Sequence, residues 1–357
     1  MRLTKRAGFS LFTLAYAVGG IALAVEMTGG AWDIEWHIAQ LVEVFWTPPH
    51  TVLYVGLGFV AVAAFAGLLL RFVAPRPPRA LEIGLQVVAV GVLLQFVAGG
   101  FDEWWHGAFG VDDALSPPHV LLIAGMITAG VGLVLGLTRL LRAEDFLTHV
   151  AAGARRLASA ALPLAFVGLH FALFGFAFVF TYPGFALDPF VGELWKRGLI
   201  VFVFASLIPF TAVAAARSVP WPGGATAVLV VATVSFYTVA GLMGDLVTLT
   251  AADLPLFILG IVVFLIPGIA VDLVLARPWK GASLLVAVGL LGVLGGLLSL
   301  VQGGAVLNMT GGLEANPLWF LALYALGGVV GGLIGLAFAN ALQVERVERV
   351  ATPAVTG

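Results

Sequence analysis

Cysteine is absent from the 357-residue chain, which removes disulfides, Cys-type zinc sites, iron–sulfur clusters and thiolate nucleophiles together. Charge is scarce as well. Asp, Glu, Lys and Arg make up 10% of the residues, against about a quarter in soluble domains. With 17 Lys and Arg against 19 Asp and Glu the formal net charge is −2, so no basic surplus exists to hold a phosphate backbone, and nucleic acid is excluded as a partner. Period-two alternation of polar and apolar residues is missing, which argues against a lipid-facing barrel. Glycine pairs fall inside apolar runs rather than after strands, so no phosphate loop is suggested. Histidine is limited to six and methionine to five. A metal would have to be held by these few, by carboxylates or by carbonyls.

Apolar residues, in contrast, make up 61% of the chain. A helix of about 20 such residues crosses a hydrocarbon core of about 30 Å, and ten stretches qualify: 8–27, 50–73, 80–100, 118–141, 160–182, 196–216, 224–249, 254–275, 281–303 and 317–341. Lys and Arg collect in short cytoplasmic loops. If the first residues lie inside, 15 of the 17 basic residues fall on the inner side and only Lys196 and Arg197 lie outside, while the outer loops with the span ends beside them carry 13 of the 19 acids. The expectation is an all-α integral membrane protein of ten helices with both termini cytoplasmic and the lipid bilayer as its partner. The basic start, the apolar run and Ala22-Leu23-Ala24 also fit a cleavable signal peptide. The repeat described next argues for retention, because it gives this segment a structural counterpart at the third span.

Residues 33 to 50 contain Asp33, Trp36, His37, Glu43, Thr47, Pro48, Pro49 and His50; residues 102 to 119 contain Asp102, Trp105, His106, Asp112, Ser116, Pro117, Pro118 and His119. The two sets match at a constant offset of 69 residues. Each copy lies between two spans on the outer side. Spans one and two thus make one hairpin and spans three and four a second, which is a parallel repeat about an axis along the membrane normal. The organisation expected is a duplicated two-helix region over 1–141, a cytoplasmic loop over 142–159, a six-helix scaffold over 160–341 and a cytoplasmic tail over 342–357.

Asp33 and His37, like Asp102 and His106, are four residues apart, so on a helix both side chains share one face. Thr47-Pro48 and Ser116-Pro117 read as N-caps followed by proline at the first helical position, which puts His50 and His119 in the first turn of the next helix. A helix N-terminus disfavours an imidazolium, and neutral imidazole is the metal-binding form. Two His and one carboxylate per copy suit copper(II), zinc or non-haem iron with coordination positions left open. Four of the six histidines sit in these motifs. The plainer reading is a duplicated hairpin whose Trp, Asp and His belong to an interfacial belt.

These residues resemble the C subunit of the copper membrane monooxygenases, the family of particulate methane and ammonia monooxygenases. The family's copper site is similar to the run Asp33, Trp36, His37, Thr47, Pro48, His50, and the resemblance implies that Asp33, His37 and His50 ligate copper. A second site in the family has Asn in place of Asp and one more residue between its histidines. Here Asp102, His106 and His119 take that place with twelve residues between the histidines, which implies a tighter or a different metal. The resemblance covers residues 30–125. It implies oxidation of a small apolar substrate or ammonia with dioxygen, additional membrane subunits or a homo-oligomer as partners, and the plasma membrane of a bacterium or archaeon, motifs outside. The chain carries no soluble cupredoxin-like domain and has more spans than the family's C subunit.

Glu43 and Asp112 are candidates to orient an imidazole from behind, with plain surface charge as the alternative. Trp36 and Trp105 would wall the site or pass electrons. His170, near the middle of the fifth span, is either an intramembrane ligand or relay, or a core histidine hydrogen-bonded to a neighbouring helix. His149 reads as solvated surface. Asp245, Asp253, Glu314 and Asn316 read as charges or caps at outer helix ends, and the late glycines (Gly292, Gly295, Gly296, Gly327, Gly328, Gly331, Gly332, Gly335) as close packing between helices. A non-catalytic metal-binding protein or a transporter is the competing function. The lack of Cys and the few Met leave little soft-ligand path for copper(I).

Overall fold

In hydrocarbon every backbone amide must find its partner within the chain, so apolar runs of this length become helices. The computed structural model describes residues 3–38, 46–109, 115–181, 194–242, 254–306 and 317–343. Among the described residues the regular structure is entirely helical: α1 (Lys5–Ile38), α2 (Pro48–Leu69), α3 (Arg79–Phe109), α4 (Pro117–Arg142), the short α5 (Glu144–Leu147), α6 (Ala152–Thr181), α7 (Leu194–Ser218), α8 (Gly224–Leu242), α9 (Leu254–Leu275), α10 (Gly281–Val306) and α11 (Pro317–Gln343). Among the described residues eight of them, α1 to α4, α6, α7, α10 and α11, are long and apolar enough to cross a membrane.

The helices overrun the apolar spans. α1 continues past residue 27 to Ile38 and α3 past residue 100 to Phe109, while α6 begins at Ala152 rather than 160. The segment 142–159, read as a loop, holds α5 and the first turns of α6. Hydropathy ends where the first polar residues appear, but main-chain hydrogen bonding does not. At 1.5 Å per residue the 31 residues of α3 reach about 46 Å, well beyond a 30 Å core. Glu26, near the end of the span 8–27, therefore lies well inside α1 and is fully buried.

One buried apolar cluster runs through α1 to α6, with contributions from α7 and α8, and a second runs through α7 to α11. Large apolar side chains on the outer faces find no cover within the chain: Phe59 is 56% exposed, Val62 63%, Leu290 67% and Leu318 81%. Such rows of exposed Phe, Val and Leu suit lipid tails rather than water. At one end of the bundle Arg139 donates to the carbonyls of Ala80 and Leu342, while Arg142 and Gln343 both donate to the carbonyl of Arg217. The Arg217 and Leu342 carbonyls lie in the last turns of α7 and α11, where carbonyls are left without intrahelical partners. Asp272 of α9 accepts hydrogen bonds from the backbone N–H of Ala225 and of Thr226 and from the Thr226 hydroxyl. It caps α8 and is thereby satisfied.

Between helices the small residues decide how closely backbones approach. A Cβ added at Gly292, Gly296 or Gly328 would strike backbone across the α10–α11 contact, and one at Gly327, Gly331 or Gly335 would strike the carbonyls of Phe202, Ser206 and Phe210 on α7. α11 therefore carries two glycine stripes facing two neighbours. In the first half Tyr16 of α1 fills a notch over Gly84 and Gly136 and donates its hydroxyl hydrogen to the carbonyl of Leu81. Replacing Gly328 by Leu is expected to destabilise the protein by about 1–3 kcal/mol or more through overpacking, seen as a lower Tm in detergent. Gly289→Leu, where the space beyond is open, should leave Tm nearly unchanged.

Candidate metal centre

Each candidate site is assembled where one helix of an antiparallel pair ends and its partner begins. Thr47 is extended at the N-cap of α2, with proline following, and its side chain accepts the N–H of His50 at 3.2 Å. Ser116 does the same for α4 and His119 at 3.3 Å. The caps and prolines read from the sequence are thus present in both copies, and they hold His50 and His119 in the first helical turn.

The helix pairs then set which acid meets which histidine. A Cβ on Gly29 would strike the backbone of Leu53, and one on Gly56 the backbone of Glu26, so α1 and α2 touch along a line that leads from Glu26 to Asp33 on one side and from Gly56 back to His50 on the other. Between α3 and α4 the contacts of Gly84 with Gly136, Gly132 with Val88, Gly91 with Ala129 and Gly125 with Gln95 continue in the same register to Asp102 and His119. The first copy places His50 Nε2 3.0 Å from Asp33 Oδ1. In the second, Asp102 Oδ1 stands 3.4 Å from both His106 Nε2 and His119 Nε2, and one ligand atom from each of the three residues lies within 4.8 Å of the others.

Asp102 Oδ1 is buried yet makes no hydrogen bond of acceptable geometry. Ligand atoms held at about 2.0–2.1 Å from one ion in tetrahedral geometry stand about 3.3 Å apart, so the spacing in the second copy suits convergence on a shared cation. The residues fit a metal with two imidazoles and one carboxylate, and the set leaves positions open. The side chains of Asp102, His106 and His119 are each about a fifth exposed, so the site is reached from outside the bundle.

The other sequence candidates fall into three groups. The side chain of His37, in the last turn of α1, lies outside the described residues, as do Glu43, Asp112, Asp245, Asp253, Glu314 and Asn316. Trp105 stands beside the second site, 4.5 Å ring to ring from Phe109 and 5.8 Å from Phe101, with Trp104 behind it. Trp36 is half-buried one turn after Asp33. His170 sits away from both motifs, buried on α6, with Nδ1 2.8 Å from the hydroxyl of Thr211 on α7, which satisfies one ring nitrogen. His149 is exposed beside Phe9.

One residue near the sites has no counterpart in the motifs. The Tyr54 ring lies 5.6 Å from His50 and 5.8 Å from Trp46, and its hydroxyl is within electrostatic reach of both Asp33 and Asp102. The position 69 residues later is Ile123, so a search for matches across the repeat passes over Tyr54.

No family model, characterised protein or solved structure matches the chain. The likeness to copper membrane monooxygenases rests on the motif residues alone. Changing Ser116 to Ala removes the acceptor for the His119 N–H and should cost about 1 kcal/mol, read by denaturant unfolding in detergent. Ser116→Thr, which keeps the oxygen, should retain most of it.

Proposed function

We propose that the chain is an integral membrane metalloprotein that holds copper at the two repeat-related sites and takes part in the oxidation of a small apolar substrate or ammonia by dioxygen. The observation that carries this reading is the convergence of Asp102, His106 and His119 at ligand spacing at the mouth of an antiparallel helix pair. Bound copper with open positions would supply activation of dioxygen. The chain's own residues do the rest. Asp102 presents one oxygen between two Nε2 atoms and fixes the direction of both rings. Ser116 and Thr47 keep His119 and His50 at helix N-termini, where the neutral imidazole is favoured. Trp105 with Phe101 and Phe109 forms an apolar wall beside the second site, suited to an apolar substrate and to keeping bulk water out.

In this reading ten helices cross the membrane, the first four as a parallel repeat, and the sites face outward. It is supported by the placement of charge along the helices: in α3 and α4 the motif residues occupy one end and Arg79, Arg139 and Arg142 the other. The natural chain has no cysteine, so single cysteines report sidedness without background. Leu115→Cys is expected to react with a membrane-impermeant maleimide added outside intact cells, and Arg76→Cys only after permeabilisation. The reverse pattern would overturn the orientation.

The metal reading is tested by elemental analysis of detergent-purified protein. The expected result is copper that falls by about one equivalent per chain when His106 and His119 are both changed to Ala, since removing two of three ligands abolishes a site. Zinc or iron in place of copper would keep the sites and end the oxygenase reading. Metal content unchanged by the double substitution would end the site assignment.

A further inference from the structure

The strongest unexplained feature of the interior is a pair of polar side chains two helical turns beneath the candidate metal sites. Glu26 of α1 is 0% exposed and Gln95 of α3 is 1% exposed. They lie 69 residues apart, so each occupies the equivalent place in its copy of the repeat. Each also lies against a glycine of the paired helix, Glu26 against Gly56 and Gln95 against Gly125, and those glycines share the same offset. The Gln95 amide faces the Glu26 carboxyl without completing a hydrogen bond of good geometry, and none of the four polar atoms of the two side chains has a hydrogen-bond partner.

Buried polar atoms left without protein partners are met by ordered water or by an ion. An acid inside a membrane bundle with no cation beside it is satisfied most simply by a proton, and intramembrane carboxyls of this kind form proton relays. Seven residues separate Glu26 from Asp33 and Gln95 from Asp102, which is two turns of the same helix face and about 10 Å of rise. The intervening position on each face is a glycine. A Cβ on Gly30 would meet nothing closer than Leu53 Cδ1 at 3.8 Å and Met126 Cε at 3.9 Å, and one on Gly99 would meet nothing within 4 Å. Both glycines are partly accessible. Neither helix therefore carries a side chain at the position between the buried polar residue and its aspartate.

We propose that Glu26 and Gln95 form a proton-binding site at the centre of the first four helices, which exchanges its proton with the cleft at Asp33 and Asp102 through water lying over Gly30 and Gly99. The transfer breaks the O–H bond of the Glu26 carboxyl and forms one on the adjacent water; reprotonation reverses it, and no electron moves. The site rests on the helix geometry and not on which metal the cleft takes. Where the cleft reduces dioxygen, a reaction that consumes protons, it provides a store of them from inside the membrane.

Infrared difference spectroscopy of the full-length protein in lipid, on transfer from H2O to D2O, tests this. The expected result is a neutral carboxylic acid C=O band that downshifts in D2O, disappears in Glu26→Gln and moves in frequency in Gln95→Leu. Gly30→Leu combined with Gly99→Leu should keep the band and slow its exchange by at least about tenfold, because the water over the glycines is displaced. A carboxyl spectrum identical in wild type and Glu26→Gln overturns the proton site. Exchange unchanged by the paired leucines overturns the path. Metal content measured on the same samples separates this from the metal reading: metal-free protein that retains the exchanging band removes the metal proposal and leaves this one standing.

Discussion

The register of two antiparallel helix pairs, set where their backbones touch at glycine, is the constraint on which the rest of the first half depends. Antiparallel helices in contact keep step, one residue forward on one helix matched by one back on its neighbour. Once Gly56 lies on Glu26 and Gly29 on Leu53, Asp33 has no choice but to meet His50. The same contacts between α3 and α4 carry Asp102 to His119. A side chain at any of these glycines would separate the backbones and with them the acid from its histidine. Packing and chemistry are here the same interaction seen at two depths.

Without a hydrophobic effect to drive helices together in lipid, close approach and satisfied polar groups carry the assembly. The second half shows this plainly. α11 is held by glycine stripes on two sides, and the polar groups of its surroundings are used up in structural roles: Asp272 caps α8, His170 pairs with Thr211, and Arg142 and Gln343 close the end of α7. In the first half the balance differs. Asp102 Oδ1, the Glu26 carboxyl and the Gln95 amide are buried without complete hydrogen bonds, and all three lie on the faces of α1 and α3 that carry the repeat. Thr138, Arg217 and Ser218 hold such atoms too, away from the motifs, so it is the place of the Glu26, Gln95 and Asp102 atoms at and beneath the motifs that suits a cation, water or a proton.

The two copies are alike in their caps and in their closest contacts, yet they are not equivalent. Tyr54 stands within reach of both aspartates while its counterpart is Ile123, and Glu26 faces a neutral Gln95 rather than a second acid. Two carboxyls at that depth would repel or compete for one proton. The substitution leaves one carboxyl in place of two at that depth beneath the two sites. The like caps and contacts set the frame of both hairpins, and these differences distinguish one from the other.

Hydropathy, the 69-residue offset and the cap residues are local or periodic properties, and so the helical class, the two motifs and the placement of His50 and His119 in a first turn were legible from the sequence. Spacing along one helix likewise put Asp102 and His106 on a common face. What lay beyond reach were facts that depend on the partner helix. Hydropathy windows close near the first polar residues and put Glu26 at the last positions of a span, whereas continued main-chain hydrogen bonding carries α1 on to Ile38 and leaves Glu26 in the core. Nothing in the linear order says that Gln95 faces it, that Tyr54 packs beside His50 and Trp46, or that Asp272 is consumed in capping a helix 46 residues earlier. Those pairings arise from the register and crossing of helices far apart in the chain, which only the tertiary packing decides.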